Sequence, residues 1–534
     1  MNITGFRALF AISIVLLTAV FAYPSGPGSL DLTYAGTGYK FDGFGGGFTF
    51  GTDVVVQPDG KIVAAANWHF SFALARYNPD GSADTSFGVD GKVVGPIPES
   101  GGSPNDLILQ PDGKLVLVGS VNDHSIALVR YNTDGSPDTT FGGDGIVTTD
   151  VPGASSCAAM AAAFQPDGKI VIIGWASFLA QFQFHFVVAR YNTDGSLDTS
   201  FDGDGIITTN ALEGRYGTSV VIQSDGKIVT GGSSFNQSPN DKWVLTRYNP
   251  NGTVDTTFGI DGIVTTVMLP EWSTVRSIAL LADGRIVAGG YTAINSSNFD
   301  FAVARYNPDG SPDTSFDGDG KVITPVLSGN DDLNEIAIQA DGKIVAAGNS
   351  ENDGISNHLA LVRYNFDGSL DTSYGSGGKA VFDLGFNDRI SGMALDAAGN
   401  AVVAGTSQEL MTARITADFA PLVEVGGRVT STSGQAIGNA QVVLRDENNN
   451  RRYALTSPFG YYSFSGVSSN EVYVVSASSK RYRFQSGPQT ITLTGTIWNV
   501  DFVGDPGGSK SAVIGGEKVP AEVRETGQEK QSRK

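Results

Sequence analysis

Short apolar runs, punctuated by turns rich in Gly, Asp and Asn, set the pattern of this chain. In the first clear unit Asp53-Val54-Val55-Val56 predicts a strand, A, followed by a turn at Pro58-Asp59-Gly60 in which the glycine accepts a positive φ. Lys61 to Ala65 predicts strand B, Phe72 to Tyr77 strand C, and Lys92-Val93-Val94 strand D. Between C and D lies a connection, Asn78 to Gly91, dense in glycine and aspartate. No segment shows a sustained helical period. The unit then repeats. Its first turn recurs seven times, with glycines at Gly60, Gly113, Gly168, Gly226, Gly284, Gly342 and Gly399, 53 to 58 residues apart. A period of this size means supersecondary units that bury their faces on their neighbours.

Four antiparallel strands per unit predict the blade of a β-propeller, with an open β-solenoid as the competing architecture. The ends of the repeat region favour the closed form. The seventh unit supplies strands A and B (Met393 to Gly405) and C (Met411 to Ile415), then stops. Its missing part reads at the front of the chain, as Gly28-Ser29-Leu30-Asp31-Leu32-Thr33-Tyr34 followed by Gly38-Tyr39-Lys40-Phe41. An N-terminal strand that completes the last blade would close the ring and remove open sheet edges. The expected fold is therefore all-β: a seven-bladed β-propeller closed by an N-terminal strand, followed by a small Ig-like β-sandwich. Phe87, Phe141, Phe201, Phe258, Phe316 and Tyr374 recur in one slot, joined by Tyr34, and Tyr77, Tyr131, Tyr191, Tyr248, Tyr306 and Tyr364 in another. A set with one member per blade is read as inter-blade packing.

The recurring phrase Gln-Pro-Asp-Gly-Lys-Ile-Val … Ala-Arg-Tyr-Asn-Pro-Asp-Gly-Ser-x-Asp-Thr-Ser-Phe-Gly resembles the delta-60 repeat, a bacterial β-propeller repeat, over residues 28–417. The resemblance implies exported or surface proteins and carries no catalytic residues. After a linker at 418–425 the repeat is gone. Gly426-Gly427-Arg428-Val429-Thr430, Ala436 to Leu444, Thr456 to Phe464, Val472 to Ser476 and Ile491-Thr492-Leu493 predict the strands of the sandwich, at 426–504. Its Ser-Pro-Phe-Gly-Tyr-Tyr-Ser-Phe segment is similar to the carboxypeptidase regulatory-like domain, a transthyretin-like accessory module that implies no peptidase activity. Residues 505–534 are hydrophilic and are expected to be disordered.

Residues 1–22 read as a secretory signal. Arg7 precedes an apolar stretch, Ala8 to Val20, that is short for a membrane span, and Val20-Phe21-Ala22 places cleavage after Ala22. The expected location is secreted, cell-surface or periplasmic, in a bacterium, with no membrane insertion of the mature chain. The single cysteine, Cys157, cannot form an internal disulfide and reads as a small buried apolar residue. A net charge of −20 repels phosphate backbones and excludes nucleic acid as a partner. A monomer is expected.

Chemistry is sparse. His69, His124, His185 and His358 lie on four separate blades with no shared partner motif, and no nucleophile elbow, phosphate loop or Cys-rich metal pattern occurs. The expectation is no catalytic residue, no enzyme and no cofactor. The metal candidate is the C–D connection: Asn78, Asp80, Asp84 and Asp90 in the first unit, and Asn132, Asp134, Asp138 and Asp144 in the second. Clustered carboxylates and amides suit Ca²⁺, while Asp or Asn before Gly also makes Asx-turns without any metal. Strands alternate in direction, so the A–B and C–D turns share one end of the ring and the B–C and D–A connections the other. The first end carries the repeated phrase. The second differs from blade to blade and is where a unique surface can be built. Trp68, His69, Trp175 and Trp243 near B–C connections, and Trp272 in a D–A connection, are the ligand-binding candidates. Two functions follow: a non-enzymatic scaffold that binds an extracellular glycan or protein through this end and the sandwich, or a propeller hydrolase or lyase acting on extracellular glycans. Carboxylates gathered with histidine or arginine at one channel mouth would favour the second.

Overall fold

The computed structural model describes residues 26–506 apart from 47–48, 98–100, 123, 179–182, 210–213, 235–241, 270–271, 296–297, 353–355, 386, 418–421, 446–450, 469–471, 485–486 and 494–495. The predicted signal segment and most of the predicted tail lie outside these residues. Two compact units divide between residues 418 and 419. No helix among the described residues is long and apolar enough to cross a membrane.

The first unit contains seven four-stranded antiparallel sheets among its described residues. Six are built from consecutive strands, in the order A-B-C-D. The seventh is composite. Its A, B and C strands are Arg389–Leu395, Ala401–Ser407 and Glu409–Ile415, and its D strand is Tyr39–Asp42 from the other end of the chain. Tyr39 pairs with Ala413 and Asp42 with Leu410. The A strands of the first six sheets are Thr49–Val56, Gly102–Leu109, Ser156–Phe164, Gly214–Ile222, Ser273–Leu280 and Asp331–Ile338. Each touches the A strand of the next sheet, and the seventh touches the first. The sequence of contacts is therefore a closed cycle, and the A strands line its centre.

Two features of the sequence produce this ring. B and C strands such as Ile62–Trp68 and Ser71–Tyr77 are buried nearly throughout, because sheets cover both of their faces. The repeated aromatics fill the junctions: Tyr34, Phe87, Phe141, Phe201, Phe258 and Phe316 are fully buried. Cys157 is buried in the same core, and its Sγ donates to the His124 carbonyl at 3.0 Å.

In the second unit, Leu422–Ser431 pairs in parallel with Phe502–Pro506 and antiparallel with Tyr461–Ser468, forming one sheet with Tyr482–Phe484. Gln441–Arg445, Arg451–Leu455, Val472–Ser478 and Gln489–Thr492 form the other. Val429, Val442, Leu444, Phe464, Val475 and Phe502 fill the space between them, and Tyr462 Oη donates to the Val500 carbonyl at 2.5 Å.

Candidate functional site

Every A strand of the ring carries one β-bulge at an equivalent place. The register slips between Gly51 and Asp53, Pro104 and Asp106, Ala159 and Ala161, Gly217 and Ser219, Val275 and Ser277, Leu333 and Glu335, and Ile390 and Gly392. A bulge adds one residue and re-aims the side chains around it. The added residues are Thr52, Asn105, Met160, Thr218, Arg276, Asn334 and Ser391, and all seven line one cavity of about 280 Å³. Since every blade contributes, this cavity is the central channel.

Polar side chains at this level bond between neighbouring blades at several of the junctions. Asn105 Nδ2 donates to the Ala159 carbonyl at 2.7 Å, Thr218 Oγ1 to that of Val275 at 2.9 Å and Asn334 Nδ2 to that of Ile390 at 2.8 Å. One residue on, Asp53 accepts from Leu107 N at 2.9 Å, Asp106 from Ala162 N at 2.6 Å and Glu335 from Ser277 Oγ at 2.5 Å. Gly392 occupies the corresponding position of the seventh blade because a Cβ there would stand 2.1 Å from Asp53 Oδ1. Burial raises Asp53 well above the usual carboxylate range, and the charge of Asp106 adds to the effect. Burial likewise raises Asp106, although its hydrogen bond with Asp53 opposes this. The pair is set to share a proton. Burial pushes Glu335 up to about 8.

Beside the channel lies a second cavity, of about 290 Å³, lined by Arg276, Asp332, Asn334, Asn349, Asn357, Arg389, Ile390 and Ser391. Asp332 and Arg389 stand at the starts of A strands, Asn349 towards the end of a B strand and Asn357 at the start of a C strand. The cavity thus opens at the end of the ring that carries the B–C and D–A connections, and it shares Arg276, Asn334 and Ser391 with the channel. Neighbouring groups hold its walls. Asn349 Oδ1 accepts from Ile390 N at 2.7 Å, Asn357 Nδ2 donates to Asn387 Oδ1 at 2.6 Å, and the Arg276 guanidinium lies 5.4 Å from the centre of the Tyr291 ring. Burial raises the Asp332 pKa; Arg276 opposes this, Glu351 adds to it, and Arg389 opposes it.

Arg276 and Arg389 differ from the other arginines of the ring. Arg76, Arg130, Arg190, Arg247, Arg285, Arg305, Arg363 and Arg414 each lie within 3 Å of an aspartate. Among the described side chains of the ring, Arg276 and Arg389 alone have no carboxylate within ion-pair distance, and both are exposed. They stand on non-adjacent blades, and only the fold brings them to one cavity.

The tryptophan candidates divide. Trp175 is half-buried and packs against Phe184 and Tyr216, with ring centres 5.7 and 6.3 Å away. Tyr216 is 37% exposed and occupies the strand position equivalent to Asp332 and Arg389, which puts this aromatic group at the same end of the channel. Trp68 donates to the Gly46 carbonyl at 3.0 Å and packs edge-on against His69 at a hairpin tip. Trp272 is 46% exposed. Trp243 is fully buried among Leu245, Phe258 and Val275, so it packs the junction between blades and offers no face to a ligand. The histidines stay apart. His124 bonds the Asn122 carbonyl, His185 packs on Phe178 and His358 sits 3.8 Å from Asp383.

At the opposite end, the carboxylates of the C–D connection are engaged by cations of the same phrase. Asp84 Oδ2 accepts from Arg76 Nε at 2.7 Å and lies 3.0 Å from Lys61 Nζ, and its Oδ1 accepts from Ser86 N and Oγ. Asp138 is held likewise by Arg130, Lys114 and Thr140. Asp80 and Asp134 accept from the Ser82 and Ser136 hydroxyls at 2.6 Å, and Asn78 and Asn132 donate to those same hydroxyls. Asp144 accepts from Ile146 N, and Asp90 takes a left-handed turn conformation at φ 52°. Among the described residues no group of three or more His, Cys, Asp or Glu side chains is placed to hold a metal ion. The arginines reach across to the following blade, Arg76 to the Thr133 carbonyl and Arg130 to that of Thr193. Arg414 closes the circle. It pairs with Asp31 of the N-terminal segment at 2.7 Å and donates to the Pro79 carbonyl of the first blade at 2.7 Å.

Comparison with family models agrees with this architecture. The model described as "Domain of unknown function (DUF5122) beta-propeller" matches six times, at residues 57–87, 110–141, 165–201, 223–258, 281–316 and 339–374, and the carboxypeptidase regulatory-like domain matches at 424–503. The seventh blade, split between the chain ends, has no uninterrupted phrase to match. No curated protein matches the chain. Solved structures with a similar course include virginiamycin B lyase from Staphylococcus aureus (11% identity, 71% of this chain and 98% of that one, TM-score 0.44). A PL25 ulvan lyase (11%, 71% and 95%, TM-score 0.40) and the extracellular domains 1-2 of Drosophila Semaphorin 1b (9%, 72% and 87%, TM-score 0.37) are also similar. The chain thus carries a DUF5122 β-propeller followed by a carboxypeptidase regulatory-like domain, the two families that its repeated phrase and its C-terminal strands resemble.

Proposed function

We propose that this protein is an exported, non-enzymatic binding scaffold that recognises a glycan at the variable end of its propeller, with the C-terminal sandwich as a second recognition module. One observation carries the reading. At the end built from the repeated phrase the cations beside its cavity of about 510 Å³, Lys114 and Arg130, are both paired with Asp138, whereas the other end presents a polar cavity whose arginines have no such partner and which no two blades build alike. Its wall of asparagines, arginines and a serine offers the directional donors and acceptors that hydroxyl-rich ligands need, and the Trp175–Phe184–Tyr216 group supplies an apolar face at the same end. Screening the chain that begins after Ala22 on a glycan array tests this. Binding is expected, and Asn349→Ala and Tyr216→Ala should weaken it. Binding that neither substitution changes would move the site elsewhere, and an array without binding would end the reading.

A second reading, a hydrolase or lyase, draws support from one feature: Asp53, Asp106 and Glu335 gather in the channel within reach of the cavity that holds Arg276, and Glu335 keeps its proton near neutral pH. We favour binding because the aspartates are committed to amides of the next blade and Glu335 to Ser277, positions filled by Ala161, Ser219 and Gly392 elsewhere in the ring. Incubation with the array-positive polysaccharide decides the matter. Unchanged chain length supports a scaffold, and new reducing or unsaturated ends would establish the enzyme.

A further inference from the structure

We propose that the ligand of the channel-mouth cavity is an acidic sugar, one whose residue bears a single negative charge. This rests on the glycan reading above and specifies the ligand's charge.

The argument starts from the fate of the arginines. This protein has an excess of acidic over basic residues, 55 against 35. Within the ring most arginines find a carboxylate, and at the repeated end every one does. Arg276 and Arg389 do not, although Asp332 lines the same cavity. Their guanidinium groups are held without a fixed anion. Arg276 is supported instead by the Tyr291 ring, and its Nη2 donates to Tyr291 Oη at 3.4 Å. A guanidinium stacked on an aromatic face keeps its planar edge available for a two-pronged bond to an oxyanion.

The local charge sets how much anion the cavity accepts. Arg276 and Arg389 contribute two positive charges, and Asp332 stands in the field of both. A dianion such as a phosphate monoester would meet the repulsion of Asp332 as well as the attraction of the arginines. A monoanion gains from both guanidinium groups with less opposing repulsion. The remaining wall is neutral and rich in hydrogen-bonding groups: Asn334, Asn349, Asn357 and Ser391. That suits ring hydroxyls around the charged group. The overall charge of −20 does not forbid this. Charges beyond about 8 Å are largely screened at physiological ionic strength, so the groups around the cavity, Arg276, Arg389, Asp332 and the nearby Glu351, rather than the net charge, decide what a ligand feels there.

Two ordinary sugar chemistries supply one negative charge, a uronate carboxylate and a sulfate ester. Calorimetric titration of the chain from residue 23 onwards separates them, using oligogalacturonate, its methyl ester, a sulfated galactan oligosaccharide and an uncharged galactan oligosaccharide. At least one charged sugar is expected to bind about tenfold more tightly than its neutral counterpart, and to weaken with added salt. Arg276→Gln and Arg389→Gln should each cost about tenfold for the charged sugar while leaving the melting temperature unchanged, since neither side chain is buried or ion-paired. Preference for the uronate or for the sulfate identifies the source of the charge. Neutral sugars bound as well as charged ones, with both arginine variants unaffected, would overturn the inference and leave the glycan reading intact. No affinity for any sugar in these titrations or on the array would overturn both.

Discussion

The two ends of the ring are made from the same seven strand sets, yet they treat charge in opposite ways. At the repeated end one aspartate of each C–D connection meets an arginine of its own C strand, from Arg76–Asp84 to Arg363–Asp371, and the split blade reproduces the pair as Arg414–Asp31. At the variable end Arg276, Arg389 and Asp332 share a cavity without pairing. Charges repeated blade by blade and neutralised in place serve the ring itself. Charges that occur once and stay unpaired are available to something outside it. The same contrast holds for exposure: Arg305 is fully buried in its latch, while Arg389 is exposed.

The sharpest way to break this comparison is to remove one latch. Arg305 pairs with Asp313, donates to the Phe366 carbonyl of the next blade and stacks on Phe316 and Phe366. Arg305→Ala would leave Asp313 with Arg285 as its one remaining cation beside the hydrogen bonds from Ser315, and should destabilise the fold by about 3–5 kcal/mol, the usual effect of breaking a buried pair. Chemical denaturation would measure it. A loss below 1 kcal/mol would mean that the repeated pairs are ornament on a ring held by its core alone.

Next in size is a change at the channel. Gly392→Ala would place a methyl group 2.1 Å from Asp53 Oδ1 and 2.8 Å from Asp53 Cα. Backbone has to move, so about 1–3 kcal/mol should be lost. Replacing Asp53 by Gly together with Gly392→Ala should return part of that loss, because the two positions meet across the point where the ring closes.

The two ends also predict opposite responses to pH. In the latches burial pushes Asp138 upward, but hydrogen bonds from Lys114 and Thr140 and the charge of Arg130 outweigh it and hold the group well below the ordinary 3.8. A depressed carboxylate stabilises the fold above its unfolded pKa, and that contribution disappears as pH falls below about 4 towards the folded value. Glu335 runs the other way. Raised from 4.5 to about 8, it keeps a proton in the folded state that the unfolded chain has lost, so stability declines as pH rises between those values. Glu335→Gln should flatten that decline, so the variant gains on wild type at pH 8 relative to pH 5 when both are unfolded by denaturant. A variant that tracks the parent across this interval would show that water in the channel solvates the carboxylate after all.

Much of this was legible in the chain. The period, the four strands per unit and the borrowed N-terminal strand all follow from repeated apolar runs and from what the seventh unit lacks. The channel was not. Strand A was read from Asp53, where its apolar run begins, whereas it starts at Thr49, and the bulge sits in the unread part. A signal existed. Gly119, Gly174, Gly232, Gly290, Gly348 and Gly405 fall within B strands, where glycine marks a bulge or a close backbone approach. A Cβ at Gly348, for example, would lie 2.0 Å from the Asp332 carbonyl oxygen. Trp243 shows the converse difficulty. Its nearness to a B–C connection could be read, but whether its ring faced the rim or the next blade depended on strand alternation, which turned it inward. No sequence signal joins Arg276 to Arg389, because they lie 113 positions apart on blades that are not neighbours.

The smallest expected effect concerns calcium. Clustered Asp and Asn in the C–D connections invited a hard cation, and the same phrase supplies one lysine or arginine just before strand B and one arginine on strand C for each buried aspartate. With Asp138 Oδ2 taken by Arg130 and Lys114 and its Oδ1 by Thr140, a cation would have to displace two positive charges and a hydroxyl to enter. The exposed Asp134 has one oxygen committed to Ser136 and lies among no grouped ligands. Excess chelator should therefore leave the melting temperature of the full chain unchanged, and added Ca²⁺ should not raise it. A calcium-dependent rise would require a rearranged C–D connection, and Asp134→Asn in the same melt would show whether the exposed aspartates, rather than the latched ones, provide the ligands.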